Sequence, residues 1–278
     1  MERVSRVSTR AADPAPESVS VTPEALIVRI ERGLMRRFPA GMVVSANACL
    51  HRWKGEQELR ELPRLVTPGT IAVDVGAHFG TYSHALARLV GKTGLVLSVE
   101  PIAEDADLLE SAARQLRLPI RVHRCALSST AGVAQLTVPD LHGRQKTALA
   151  SLQPAGSDQA STREVQTRTL DDLLADVDRP VSFIKIDVEG HERAVLEGGQ
   201  RAMARHKPNL IIEIEGRFND TPIQDTFDQV IAMGYRGEFI DGDGVRRPLD
   251  QFDLDIHQDP RHDVLSKAYI GNFIFRAI

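Results

Sequence analysis

Cysteine is scarce in this sequence, with only Cys49 and Cys125 among 278 residues. Two thiols cannot build a disulfide framework, and their spacing is wrong for a zinc site, so both are expected to be reduced thiols of a cytoplasmic protein. Long apolar runs are also missing. None approaches the ~18 consecutive residues of a membrane span, and Arg3, Arg6 and Arg10 lead into no apolar core of a secretory signal. Nor is there an excess of positive charge. The 34 Lys and Arg stand against 38 Asp and Glu, a net charge of -4, which disfavours a nucleic-acid partner because phosphate backbones want a basic face. The dinucleotide fingerprint G-x-G-x-x-G is absent too, which argues against a nicotinamide-dependent oxidoreductase. What remains is ordinary for a globular chain: 42% hydrophobic and 26% charged residues, enough for a sizeable core.

Residues 1–20 are rich in Ser, Ala, Pro and Arg without period, the composition of a disordered tail. Residues 21–66 read as a lid or cap, too small to bury much core alone. Within it a helix is expected over Pro23–Arg37, a short strand over Gly41–Ala46 and a helix over Glu56–Val66. From residue 67 to 278 strands and helices alternate. Buried strands are expected at Thr70–Val75, Leu95–Val99, Ile120–His123, Val181–Ile186 and Asn209–Ile214. Helices are expected at Tyr82–Val90, Ala103–Arg117, Leu170–Val177, His191–His206 and Ile223–Met233. Val133–Val138 reads as a short strand after a turn at Ala131-Gly132, residues 140–163 as a long surface loop, Val165–Thr169 as extended, and Tyr235–Ile240 and Ala268–Ala277 as closing strands. Apolar strands separated by helices predict a doubly wound, mostly parallel α/β sheet whose ligands sit at the strands' carboxyl ends.

The strongest local signal is Asp74-Val-Gly76-Ala77-His78-Phe-Gly80, a buried strand running through glycines into a helix. Glycines let the backbone turn tightly and approach a ligand closely. The acid at the strand end would repel a pyrophosphate and welcome a cofactor carrying an ammonium and a sulfonium. Twenty-six residues on, Glu100-Pro101 closes the second strand, and an acid there can accept hydrogen bonds from ribose hydroxyls. The expected cofactor pocket comprises Asp74, Gly76, Ala77, His78, Gly80, Glu100, Pro101, Cys125 and Ala126, with Asp187 and, from the N-terminal segment, Glu56.

After the fourth strand come Asp187, Glu189 and His191, with Gly190 permitting a sharp turn. Two carboxylates and an imidazole at a sheet mouth can take a proton from a hydroxyl acceptor, so these three are the candidate catalytic residues. The same residues could hold a divalent ion. Glu213, ending the fifth strand, is the candidate acceptor contact, and Lys185 is expected to be paired or snorkelling at the sheet edge.

These residues, together with Cys125-Ala-Leu-Ser128 and Gly132, Thr169-Leu-Asp-Asp-Leu173, Ile184-Lys-Ile-Asp187-Val-Glu189-Gly190-His191-Glu192, Val195-Leu-Glu-Gly198 and Pro208-Asn-Leu-Ile-Ile-Glu213, resemble the FkbM family of methyltransferases. The resemblance spans about residues 55–240. It implies a class I methyltransferase fold, a seven-stranded sheet whose last strand is antiparallel. It also implies methyl transfer from S-adenosylmethionine to oxygen, often a hydroxyl of a sugar or polyketide, so the expected partner is a small-molecule or glycan acceptor. A module that binds the cofactor without catalysis is the alternative. His78 departs from the family pattern, which commonly carries Asn there.

Overall fold

The computed structural model describes residues 38–54, 57–139, 147–152, 160–262, 266 and 268–278. The expected tail at 1–20, the helix at Pro23–Arg37 and the candidate Glu56 lie outside the described residues. Pro39–Ile278 forms one compact unit. It opens with helix α1 (Ala40–Lys54), where a strand is expected over Gly41–Ala46. The run is apolar enough for either element, and packing decides between them. Ala40, Val43 and Val44 are buried while Met42 is exposed, an i, i+3, i+4 pattern that a strand's alternation could not give, and Ala40 and Val44 pack against Ala112. A 3-10 turn (Gln57–Arg60) and the short helix α2 (Leu62–Leu65) replace the single helix expected over Glu56–Val66. Pro63 stands within the first turn of α2, where its missing N–H costs nothing.

The chain then winds β1 (Ile71–Val75), α3 (Thr81–Val90), β2 (Leu95–Val99), α4 (Ala103–Leu116), β3 (Ile120–His123), β4 (Ala126–Leu127), β5 (Gly132–Pro139), β6 (Ala160–Arg168) and α5 (Leu170–Leu173). It continues through β7 (Val181–Ile186), α6 (Glu192–Glu197), α7 (Gln200–His206), β8 (Asn209–Glu213), α8 (Ile223–Ala232), β9 (Tyr235–Ile240), β10 (Arg246–Pro248), α9 (Leu254–His257) and β11 (Asn272–Ala277). The main sheet is ordered β10-β9-β11-β8-β7-β1-β2-β3. From β3 to β8 neighbours run parallel, and β11 runs antiparallel to both β8 and β9. This is the expected doubly wound fold, with eight strands rather than seven. The additional edge strand β10 is short, exposed and ends in Pro248, features that discourage pairing with another chain.

Strand alternation sends Ile71, Val73 and Val75 into one hydrophobic layer and Ala72 into the other, so both faces of the sheet are covered. His191–His206 is two helices instead of one. Gly198 and Gly199 separate them, and a Cβ on Gly198 would stand 2.2 Å from the Ser128 carbonyl. The continuous helix yields to that close approach. Strands β4, β6 and β5 form a second, three-stranded sheet; β5 contains the expected strand Val133–Val138 and β6 the extended stretch from Val165, but β6 begins at Ala160, inside the expected loop. The apolar side of this sheet gathers Ile102, Ala126, Leu136, Val138 and Val165. Among the described residues no helix is long and apolar enough to cross a membrane.

Candidate active site

The reversal of winding direction falls between β1 and β7, and the carboxyl ends of β2, β1, β7 and β8 therefore surround one crevice. The Gly76–Gly80 loop occupies its centre. Gly76 and Ala77 both donate their N–H to the Val99 carbonyl at 3.0 Å, and Gly80 donates to Ala77 at 2.7 Å. Gly76 has φ 78°, and a Cβ there would meet the Asp187 carbonyl oxygen at 1.8 Å. Only glycine lets the β1 loop lie this close to the end of β7.

Glu100 closes the other side. It is 4% exposed, and its carboxylate bridges two backbone N–H groups, from His78 to Oε2 at 2.7 Å and from Ile102 to Oε1 at 2.8 Å. The acid ending β2 thus grips the Gly76–Gly80 loop itself. Burial, with like charge from Asp105 and Asp74, raises its pKa to about 8. Pro101 lies between this acid and Ile102, the residue that starts α4. His78 has φ 46°, a left-handed conformation that Asn and His tolerate better than most side chains. This is a physical reason for either residue at this position. Its Nε2 reaches Thr147 Oγ1 at 3.2 Å. Cys125 and Ala126 follow β3, both buried. Burial pushes the Cys125 thiol up, which disfavours the nucleophilic thiolate.

Asp74 is placed differently from a cation-binding strand-end acid. It shares a sheet face with Ala72 and turns beneath α3, accepting from Ser83 Oγ at 2.5 Å, with Ser83 in turn 2.7 Å from Ser98 Oγ. Burial raises its pKa to about 6.

The acid-rich mouth lies at the ends of β7 and β8. Asp187 donates its N–H to the Val75 carbonyl at 3.0 Å, so its backbone is fixed to the end of β1. Its side chain stands 30% exposed and that of Glu213 26%, whereas Lys185 behind them is 1% exposed. Glu189 has φ 47° and Gly190 φ 87°, and a Cβ on Gly190 would collide with the Phe218 carbonyl at 2.2 Å. The turn therefore needs that glycine, and it brings Glu189 within electrostatic range of Asp187 and Glu215. Burial first, then those neighbouring carboxylates, raise the Glu189 pKa to about 9. Burial and the carboxylates around it also push Glu213 well above the usual range, with Lys185 opposing. His191 caps α6 and places Nε2 3.0 Å from Ser128 Oγ. Burial lowers its pKa. Among the described residues no three His, Cys, Asp or Glu side chains are arranged to hold a metal ion.

Three residues absent from the sequence-based list complete the mouth. Asn272, opposite Glu213 in the β11–β8 ladder, accepts from Lys185 Nζ at 2.7 Å. Tyr82 of α3 places its ring 5.1 Å from the same ammonium. Gln258 accepts from Gly216 N–H at 2.8 Å and donates to the Ile214 and Ile270 carbonyls at 2.7 and 2.9 Å, stapling the chain beyond β8 to the approach to β11. All three contacts are long-range, and no local spacing announces them. Lys185 itself lies in the sheet's middle, not at its edge.

Glu100, Glu189 and Glu192, whose pKa burial raises to about 7, set the pH dependence of stability. Each binds a proton in the folded state at a pH where the unfolded chain has lost it. Their stabilisation is full below the ordinary carboxylate range and disappears as pH rises through the folded values. The melting temperature of the ligand-free protein is expected to fall from about pH 4.5, most steeply below about pH 7 where all three groups contribute, and to level off near pH 9, each group contributing up to ~1.4 kcal/mol per pH unit. Thermal scans across that window, with Glu189→Gln expected to flatten the decline, check this. A flat or rising profile in the parent would show that these carboxyls ionise freely in the folded state.

The family model for the methyltransferase FkbM domain matches residues 74–237, a span containing the loop, Glu100, Asp187, Glu189 and Glu213. Comparison with curated proteins gives no match. Among solved structures, a methyltransferase FkbM from Methylobacillus flagellatus is 17% identical over 92% of this chain and 60% of its own, with TM-score 0.47. The chain thus spans three fifths of that relative's length. Fibrillarin from Aeropyrum pernix, with natively bound S-adenosyl-L-methionine, is 12% identical over 77% of this chain and 68% of its own, TM-score 0.42. A SAM-dependent O-methyltransferase from Thermotoga maritima is 14% identical over 80% and 66%, TM-score 0.42.

Proposed function

The chain belongs to the FkbM methyltransferase domain family, and from that premise we propose that it transfers a methyl group from S-adenosylmethionine to a hydroxyl of a sugar, glycan or hydroxylated natural product. The observation that carries the reading is the convergence of Glu100 and Asp187 on opposite sides of the Gly76–Gly80 loop. The residues fit the cofactor. Loop residues 76–80 and the turn 100–102 hold no Lys or Arg, so the crevice suits ribose hydroxyls and positive groups and not a pyrophosphate. Glu100 would hold the ribose, the loop backbone would lie along the amino-acid part, and Cys125 and Ala126 would wall the base. When bound, the cofactor supplies a methyl group on a positively charged sulfur.

The protein's share is alignment and proton removal. Holding the acceptor oxygen in line with the methyl carbon supplies much of the rate. Asp187, partly exposed at the mouth, takes the hydroxyl proton on a carboxylate oxygen. Glu189, with its pKa near 9, is protonated at neutral pH and serves as a hydrogen-bond donor to the acceptor. Glu213 contacts a second hydroxyl. His191 has its Nε2 engaged with Ser128 and supports the turn.

Titration calorimetry with S-adenosylhomocysteine and, separately, NAD tests the cofactor. Incubation with S-adenosylmethionine and a panel of hydroxylated acceptors, read by mass spectrometry for one added methylene, tests the reaction. Binding of S-adenosylhomocysteine alone and a methylated hydroxyl are expected. Preference for NAD would overturn the cofactor assignment. Binding without transfer to any acceptor would favour a non-catalytic cofactor-binding module.

A further inference from the structure

A lysine in the central part of a sheet is costly unless its charge is answered, and Lys185 is answered on all sides. Its ammonium lies 2.7 Å from Asn272 Oδ1, 3.5 Å from Asp187 Oδ2, 3.6 Å from Glu213 Oε2 and 5.1 Å from the Tyr82 ring centroid. Asp74 is its register neighbour in β1. The partners come from β1, β8, β11, α3 and the turn after β7, so five separate parts of the fold meet at one ammonium. The exposures run in one direction. Lys185 is sealed at 1%, while Asp187 and Glu213 in front of it are 30% and 26% exposed. A substrate at the mouth meets the two carboxylates and not the lysine.

We infer that Lys185 is a positioning residue that holds Asp187 and Glu213 together as a single proton-accepting unit facing the acceptor. This rests on the methyl-transfer reading above. In the reaction the acceptor O–H bond breaks and its proton lodges on a carboxylate oxygen of the pair. The oxygen forms the new bond to carbon, and the electron pair of the broken carbon–sulfur bond returns to sulfur. The ammonium stays charged throughout. It keeps two neighbouring carboxylates from expelling each other's charge, so one remains ionised to receive the proton.

The test is a carboxyl carbon-13 titration of the full chain, with the Glu213 signal assigned by its loss in Glu213→Gln. In Lys185→Met, which preserves side-chain length and removes the charge, the Glu213 midpoint is expected to rise by about one to three pH units. Lys185→Arg should return it most of the way. The melting temperature of Lys185→Met should fall, because removing one partner of a buried charge cluster leaves Asp187 and Glu213 facing each other without their cation, and Lys185→Arg should restore much of it. A folded Lys185→Met protein with an unmoved Glu213 midpoint overturns the assignment. So does a large drop in melting temperature without a titration change, which is what a packing role alone would give. Should Lys185→Met fail to fold, the parent decides. A shared ammonium couples the two acids, so Glu213→Gln must move the Asp187 curve, and two independent curves overturn the proposal. Calorimetry with S-adenosylhomocysteine on the parent separates the two readings, since failure to bind would refute the cofactor assignment whatever the titration shows.

Discussion

Replacing Asp187 by Asn is expected to lower methyl-transfer turnover by ~10²–10⁴-fold, the usual worth of general-base catalysis, with affinity for S-adenosylhomocysteine changed no more than a few-fold. The substitution keeps shape and polarity, and the backbone hydrogen bond from Asp187 to Val75 is untouched. What disappears is a carboxylate able to receive a proton. Glu189→Gln should behave differently. Glu189 already carries its proton near neutrality because burial and its acidic neighbours raise its pKa to about 9, and a glutamine amide can still donate a hydrogen bond. Its effect should be only several-fold. Single-turnover rates with an acceptor identified by mass spectrometry measure both. If Asp187→Asn stays within a few-fold of the parent, alignment alone drives the reaction and no base acts there. If turnover is abolished by a chelator and restored by Mg²⁺, a metal-assisted route replaces proton transfer to Asp187.

The sequence was most legible where burial is continuous. Val73, Val96, Ile184 and Ile211 belong to strands covered on both faces, and uninterrupted apolar runs bounded by Gly, Pro or acid mark such strands directly. Strand ends then place Glu100, Asp187 and Glu213 at one edge of the sheet, a placement that follows from the strand bounds alone. Asp74 shows where that logic stops short. Being two residues from Ala72, it must share that residue's face, and this sends it under α3 to Ser83 rather than into the crevice. The strand's alternation dictates this face, whereas the adjoining glycines mark only where the strand ends. Helix α1 was hidden for another reason. Its apolar run suits a strand as well as a helix, and the choice lies in contact with Ala112, some seventy residues on. The second sheet was legible in part, at Val133–Val138 and Val165–Thr169, but the start of β6 from Ala160 lay inside the expected loop because its first residues include exposed polar ones such as Thr162 and Glu164. Asn272, Tyr82 and Gln258 owe their roles to contacts between distant segments. The break at Gly198-Gly199 was visible in principle, since paired glycines in a helix invite a stop.

Glu100 carries the second large expectation. Glu100→Ala should weaken S-adenosylhomocysteine binding by ~1.5–3 kcal/mol, about ten- to a hundredfold, as charge-assisted hydrogen bonds to a ribose are lost. Two separate losses contribute. One is direct contact with the hydroxyls. The other is the grip on His78 and Ile102 N–H groups, without which the cofactor loop loses the acid that ties it to β2. Glu100→Gln separates them. Its amide oxygen can accept one of the two backbone N–H groups, whereas its NH₂ faces the other donor unfavourably, so binding should recover only in part. Protonation supplies a further mark. Ribose hydroxyls donate to the ionised carboxylate, yet burial raises the ligand-free pKa to about 8. Binding must therefore release a proton near neutral pH, and affinity should strengthen as pH rises toward 8 and level off above it. Calorimetry in two buffers of different ionisation enthalpy reads the proton directly, and the Glu100→Gln protein should release none from this position. Unchanged affinity in Glu100→Ala, or an affinity that falls as pH rises through this range, would remove the ribose from Glu100 and with it the orientation of the cofactor across the sheet.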